Sequence, residues 1–536
     1  MLTVNGSGFV SSSSINWNGA ARSTTFHSGS VLTANVVAGD IASSGSAMIT
    51  VINSASFGSI ISNAVSFPIN PVQPSGPPAA SVVALVSVAS DGTQGDHDSS
   101  LAASNATGRF VAFASLASNF SSKPTNGFEN VFLRDTCIGM PTGCVPSTVP
   151  LTVAPDGSFG NGDSGASVGV ATLPAISAAG RFVAFTSAAT NLVAGDTNGS
   201  FDVFLRDTCN GAPSGCIPST IRVSVASDGS QSNGNSFNPS ISADGRFVAF
   251  DSNASNLVPN DSNATTDVFL RDTCIGAPAG CIPQTIRLSV ASDGTQGNDA
   301  SSFPALSANG RFVAFQSFAK NLTPNDTTTF VDVFVRDTCF GAPSGCSEST
   351  SLVSVGPGSV LGNNGSTFPT ISSDGRFIAF ASFATNLTSV SIPAAINNVF
   401  VRDTCAGAPA GCIAATTLAS ASAAGAPGNG ASGLPSISAD GRFVTFNSDA
   451  TNLVSGDTNG FTDVFVRDTC LGVSAACIPS IVRVSVAADG TQGNFNSSVP
   501  AISADGHFVV FGSGAANLIP NDANGATDVF LASTSF

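Results

Sequence analysis

Short apolar runs punctuated by turn residues cover this chain from end to end, and no stretch keeps a helical period. The stretch around Gly245 shows the pattern. Pro239-Ser240-Ile241-Ser242 predicts a short strand, and Ala243-Asp244-Gly245 a tight turn whose glycine can take positive φ. Arg246 to Ser252 predicts a second strand, Asp267 to Asp272 a third and Thr285 to Val290 a fourth. The second run, Phe247-Val248-Ala249-Phe250, is apolar at consecutive positions rather than alternating. Both of its faces must therefore be covered, as in a sheet sandwiched between neighbouring sheets.

This unit recurs from about residue 84 to the end. Its landmark is Gly-Arg-Phe, with glycines at Gly108, Gly180, Gly245, Gly310, Gly375, Gly441 and, where His507 replaces arginine, Gly506. The spacings are 72, 65, 65, 65, 66 and 65 residues, a regularity that marks stacked supersecondary units. With only two lysines and two glutamates, the composition also disfavours helix. Seven units of four strands predict an all-β fold, a seven-bladed β-propeller. The seventh unit is divided: the chain ends after Asp528-Val529-Phe530-Leu531, while Ala84-Leu85-Val86-Ser87-Val88-Ala89-Ser90-Asp91-Gly92 matches Ile221 to Gly229. The expectation is a ring closed by an N-terminal strand, 84–90 pairing with 528–531, which removes a free edge.

Residues 1–69 lack the period and predict a small β-sandwich. Residues 70–83 form a Pro-rich linker, and 84–536 the propeller. The segment Leu2 to Phe9, with Asn16-Trp17-Asn18-Gly19 and Ser62 to Phe67, resembles the IPT/TIG immunoglobulin-like family, without that family's first strand. The expectation is a truncated start. The repeat Pro-x-Ile-Ser-x-Asp-Gly-Arg-Phe-Val-Ala-Phe, followed by Asp-Val-Phe-Val-Arg-Asp, resembles the WD-like repeat of TolB-type propellers, clearest at Ile241–Phe250, Ile371–Phe380 and Ile437–Phe446. That resemblance implies a fold rather than an activity, because propellers host unrelated functions.

Twelve cysteines fall in six pairs of equal spacing, Cys137/Cys144, Cys209/Cys216, Cys274/Cys281, Cys339/Cys346, Cys405/Cys412 and Cys470/Cys477. Each lies between a third and a fourth strand, which predicts one local disulfide per loop. Zinc does not fit the spacing, and no histidine accompanies it. Reduced thiols in a cytosolic chain are the alternative. The disulfides place the protein outside the cytosol: secreted, cell-surface or periplasmic. No signal peptide is visible after Met1, so the export signal is expected upstream of this chain.

The second-to-third-strand loops carry candidate calcium ligands: Asp196, Asn198 and Asp202; Asp261, Asn263 and Asp267; Asp457, Asn459 and Asp463; Asp522, Asn524 and Asp528. The fourth repeat has Asp326, Thr328 and Asp332, and the first and fifth lack the pattern. Oxygen donors at alternate positions with a distal carboxylate suit structural Ca²⁺, but Asp and Asn also form plain Asx turns. No other cofactor is expected. The Arg-Asp pairs ending the third strands, such as Arg271-Asp272, predict orientation of the cysteine loop. Adjacent strand residues face opposite ways, so each is expected to meet a neighbouring blade.

Composition excludes several activities. The chain has no tyrosine for a sialidase-type nucleophile and no Gly-x-Ser-x-Gly hydrolase domain after the repeats. His27, His97 and His507 are scattered. A net charge of −16 without a basic run opposes nucleic acid and anionic membrane as partners, and no apolar run reaches spanning length. The expectation is a non-enzymatic, exported bacterial binding scaffold for another envelope or extracellular protein. The alternative is a Ca²⁺-dependent, lactonase-like hydrolase with its site at the channel mouth.

Overall fold

The computed structural model describes the chain except residues 1, 18–19, 37–44, 56–57, 63–64, 70–82, 168–169, 325, 474–476 and 535. The Pro-rich segment expected as a linker thus lies almost wholly outside the described residues. The chain divides into two compact units, Met1–Pro78 and Ala79–Phe536. Among the described residues it is all-β, with helix confined to a 3₁₀ turn at Pro357–Ser359.

In the first unit, Leu2–Asn5, Val31–Ala34 and Thr24–Ser28 make one sheet. Ala20–Ala21, Ser13–Trp17, Gly45–Ala55, Gly58–Ile61 and Val65–Ile69 make a second. Alternate residues of both, including Ile15, Trp17, Leu32 and Val51, form one buried core, as face-to-face sheets require.

The second unit contains seven four-stranded antiparallel sheets among its described residues. In the third sheet the strands are Ser236–Ile241, Phe247–Ser252, Asp267–Asp272 and Gln284–Arg287. The second and third strands match the sequence reading within a residue. The first begins earlier than expected and is bulged between Phe237 and Ser240, leaving Asn238 at φ 51°. The fourth is shorter than expected: it ends at Arg287, Leu288 still donates to Val268 O at 2.7 Å, and Val290 bridges to Gln296. The last sheet comprises Ser497–Ile502, Phe508–Ser513, Asp528–Ser533 and Val83–Leu85, with Phe530 opposite Leu85. The N-terminal segment thus supplies that fourth strand over three residues.

The apolar second strands are buried on both faces, as Phe247–Ser252 shows throughout. In every sheet a phenylalanine of the second strand stacks on one of the third, such as Phe250 on Phe269 at 5.9 Å. Successive sheets are joined through their first turns. Gly245 sits at φ 82°, and a Cβ there would strike the ring of Phe182 in the preceding sheet. The backbone N–H of Ala106 donates to Ala178 O, and the series continues through Ala243, Ala308, Ser373, Ala439 and Ala504, whose N–H donates to Ala106 O. No described helix is long and apolar enough to cross a membrane.

Candidate functional site

The two ends of each sheet carry different chemistry. At one end lie the first turn and the cysteine loop. All six predicted disulfides are present, with Cα–Cα distances of 5.7–5.8 Å, which indicates an oxidising environment. Carboxylate and sulfur atoms cluster there, as at Asp272, Cys274 and Cys281, but both sulfurs are bonded to each other and offer no thiolate to a metal.

The sixth loop has the predicted disulfide but a different sequence between its cysteines. The Cys470–Cys477 bond itself closes like the others, at a Cα–Cα distance of 5.7 Å. The other five loops place a proline four residues, and a glycine six residues, after the first cysteine, as at Pro278 and Gly280. There the N–H of the second cysteine donates to the proline carbonyl, as Cys281 does to Pro278 O at 3.2 Å. In the sixth loop Ser474 and Ala476 stand at those positions, and residues 474–476 lie outside the described residues. The predicted loop is therefore described at Cys470 and Cys477 but not between Val473 and Cys477.

A bidentate ion pair holds each of these loops. Arg246 of the Gly-Arg-Phe triplet donates from Nε to Asp272 Oδ1 at 2.8 Å and from Nη2 to Oδ2 at 2.6 Å, and its guanidinium lies over the Phe247 ring. Asp272 Oδ1 also accepts from the N–H of Cys274, which stands at φ 59°. The same arrangement joins Arg109 to Asp135, Arg181 to Asp207, Arg311 to Asp337, Arg376 to Asp403 and Arg442 to Asp468. Burial alone would raise the Asp272 pKa, but hydrogen bonds from Arg246 and Cys274 outweigh it and hold the group below the ordinary range. The aspartate does orient the cysteine loop, yet its partner belongs to its own sheet and not to a neighbour. Only the adjacent arginine reaches out: Arg271 donates to Ala226 O in the segment leaving the previous sheet. The cross-strand register places Asp272 opposite Phe247, beside Arg246, a proximity invisible from the position of Asp272 in its own strand. In the seventh sheet His507 stands for this arginine, and Ser533 takes the aspartate's place opposite Phe508. The two replacements explain each other.

The opposite end carries the Asp-x-Asn loops. In the second sheet Asn198 Nδ2 donates to Asp202 Oδ2 at 2.8 Å, and Ser224 Oγ to Asp202 Oδ1 at 2.5 Å. Arg222 Nη1 stands 2.9 Å from Asp196 Oδ1 and 3.4 Å from Asp202 Oδ2. Arg287 contacts Asp261 and Asp267 in the same way, and Arg483 contacts Asp457 and Asp463. Asn263 and Asn459 likewise donate to the aspartate that opens the third strand. A guanidinium therefore already serves three of the four predicted ligand sets. In the seventh sheet Gln94 Nε2 donates to Asp522 at 2.7 Å and Asp528 at 2.8 Å, while Asn524 Nδ2 donates to Asp528. Burial raises the Asp202 and Asp528 carboxyls above the ordinary range, against the pull of these donors. The sequence reading missed the arginines because they lie some twenty residues beyond the loop, in the fourth strand. Their alternation with Leu85, Leu352 and Leu418 was the available signal.

Between the two ends, first strands touch first strands of neighbouring sheets, and here Asp251 was also missed. It is 2% exposed, accepts from Asn238 Nδ2 at 2.8 Å and from the N–H of Phe303 in the next sheet at 2.9 Å. Burial pushes its pKa up to about 7. Gln316 does the same work one sheet further on, accepting from the N–H of Phe368. No described histidine accompanies Asp251: His97 stands beside exposed Asp96, and His27 bonds to Thr33 in the first unit.

Exposed apolar side chains mark both ends. Phe318, Phe330, Phe383 and Val390 flank second-to-third-strand loops of the fourth and fifth sheets, 38–45% exposed. At the cysteine end Val145, Ile217, Ile282, Ile413 and Ile478 each follow the second cysteine of a pair. A groove of about 530 Å³ lies between Pro357–Gly358, Thr388–Val390 and Ile413–Leu418, with Arg467 as its charged group.

No family model and no curated protein matches the chain. Among solved structures it is similar to a TolB protein from Agrobacterium tumefaciens, at 15% identity over 60% of this chain and 80% of that one, with a TM-score of 0.31. It is similar to an oligogalacturonate lyase from Vibrio parahaemolyticus, at 12% identity over 82% and 90%, TM-score 0.41. A puromycin-hydrolysing peptidase from Mycobacterium tuberculosis gives 12% identity over 84% and 56%, TM-score 0.42. The functional reading rests on the chain's own geometry.

Proposed function

We propose that residues 84–536 are seven blades of one TolB-like β-propeller closed by the strand at Val83–Leu85. In this reading the chain is a non-enzymatic exported scaffold that binds another envelope or cell-surface protein through the carboxylate-loop end of the ring. Closure is supported by the pairing of Phe530 with Leu85 and by the run of turn-to-turn hydrogen bonds that returns from Ala504 to Ala106. The first unit is read as an accompanying IPT/TIG-like module, supported by its two sheets around Ile15 and Trp17.

The observation that carries the binding reading is the group Phe318, Phe330, Phe383 and Val390, exposed on two consecutive sheets beside loops whose sequences differ from blade to blade. Large apolar side chains left in water on variable loops are what a protein-binding surface presents. The immobilised full chain is expected to retain an envelope protein, and Phe318→Asp with Phe383→Asp to release it. Ile282→Asp with Ile478→Asp, at the other end, is expected to keep it. Equal retention by all forms would remove this surface from consideration. Turnover of a lactone or phosphoester that disappears with Asp522→Ala would replace the scaffold by the hydrolase.

A further inference from the structure

The carboxylate loops follow a charge rule with one exception. Where the fourth strand presents arginine opposite the third-strand phenylalanine, at Arg222, Arg287 and Arg483, the loop keeps two aspartates and the guanidinium contacts both. Where that position is Pro150 or Leu418, in the first and fifth sheets, the third strand opens with neutral Asn130 or Asn398. In the seventh sheet Leu85 takes the place, and the Gln94 amide donates to both carboxylates.

The fourth sheet keeps both aspartates without either device. The arginine position is Leu352, and the glutamine position, bridged to Val355, is Leu361. Asp326 is 5% exposed and Asp332 1%. Asp332 Oδ1 accepts from Ser354 Oγ at 2.7 Å. Thr328 Oγ1 lies 2.6 Å from Asp332 Oδ2 and 3.2 Å from Asp326 Oδ1, and its single proton can serve one of them. The N–H of Thr328 reaches Asp326 Oδ1 at 3.1 Å, and the buried Asp326 Oδ2 has no hydrogen-bond partner among the described residues. The cation on this loop, Lys320, donates its ammonium to Phe330 O at 2.7 Å and forms no described ion pair with either aspartate. The Lys320 charge acts on Asp332 only from beyond ion-pair distance, and two buried carboxylates with no cation in contact are strongly unfavourable.

We infer that the fourth sheet binds a calcium ion between Asp326 and Asp332, in the place that an arginine fills in the second, third and sixth sheets. The donors fit a hard cation: two carboxylates and the Thr328 hydroxyl, with main-chain carbonyls or water completing the shell. A divalent ion neutralises both carboxylates and gives Asp326 Oδ2 its missing partner. A proton shared between the two would leave one charge uncompensated.

The test uses the full chain, stripped with EDTA and dialysed against calcium at near-physiological salt, with bound metal counted by elemental analysis and melting followed in parallel. Asp326→Asn is expected to bind one ion fewer per chain than the parent and to lose the calcium-dependent rise in melting temperature that this ion gives. Leu352→Arg, which installs the countercharge of the other sheets, is expected to lose the same ion while melting no lower than the calcium-free parent. Should Leu352→Arg fail to fold, the Asp326→Asn count decides alone. Equal metal content in parent and Asp326→Asn overturns the inference. So does a parent that binds no calcium and gains stability only as the pH falls, which is the outcome expected of a shared proton.

Discussion

The two ends of the sheets solve the same problem, buried charge on a loop, in opposite ways. At the cysteine end six sheets repeat one solution: an arginine from the second strand grips an aspartate of the third, and the aspartate holds the loop that a disulfide closes. At the other end the backbone geometry repeats but the countercharge does not, passing from arginine to glutamine amide to neither. Uniform residues on a uniform geometry mark structure. Varied residues on a uniform geometry mark the end that can be adapted to a ligand.

The largest test concerns the sheet that lacks the clamp. Deleting residues 1–79 is expected to leave the second unit folded, whereas deleting 1–92 removes the strand Val83–Leu85 and the Ser87 hydroxyl that donates to buried Asp528 at 2.5 Å. Thermal melts should separate the two forms widely. Coincident melts would mean that the seventh sheet does not depend on its N-terminal strand.

Next comes the clamp itself. Asp272→Ala strips the partly buried Arg246 of its partner and frees the Cys274 amide, and a loss of about 2–3 kcal/mol in denaturant titrations is expected. Installing the pair in the seventh sheet, with His507→Arg and Ser533→Asp together, should gain no more than about 1 kcal/mol, the usual worth of an ion pair still open to solvent. A large gain there, or no loss at Asp272, would break the contrast between the ends.

Asp251 gives a pH signature independent of both ends. Its folded pKa, about 7, lies above the unfolded value of 3.8. Its contribution is therefore complete below the unfolded value and is lost as the pH rises toward about 7, because the unfolded chain releases the proton first. Asp251→Asn keeps an acceptor for Asn238 and Phe303 and should flatten that decline. Identical pH profiles for parent and variant would show that Asp251 ionises freely.

Reduction of the disulfides is expected to cost no more per site than loss of the clamp. Each closes a short loop already held by an Arg–Asp pair, so each contributes at most about 2–3 kcal/mol by chain entropy. Peptide mapping without reductant should find every cysteine linked within its own loop, and links between sheets would contradict the geometry.

Much of this architecture was legible in the residues themselves. The uninterrupted apolar run at Phe247–Phe250 required cover on both faces, and the second strand is buried throughout. The match between Ala84–Gly92 and Ile221–Gly229 located the fourth strand of the last sheet, though it pairs over fewer residues than expected. Equal cysteine spacing gave the six pairs, Cys470 with Cys477 included. Less was legible where a charge meets its partner. Arg246 and Asp272 are adjacent only through the register of two strands, and Arg222 meets Asp196 and Asp202 only because the fourth strand folds back beside the third. Asp251 meets the Phe303 amide only because the next sheet places it there.

What the sequence determined by itself was local and repeated: strand and turn identity, the period, and cysteines close enough in the chain to find each other. These follow from side-chain alternation, from glycine's access to positive φ and from short-loop geometry, all of which act within a few residues. Tertiary structure alone decided which buried charge is neutralised and by what. That choice depends on groups brought within about 3–4 Å from strands tens of residues apart, and the strength of a buried interaction falls steeply once that distance is lost. The pair Asp326 and Asp332 keeps the spacing of its counterparts in other repeats, and what sets it apart is Thr328 in place of asparagine and the Leu352 that the fold places where other sheets put arginine.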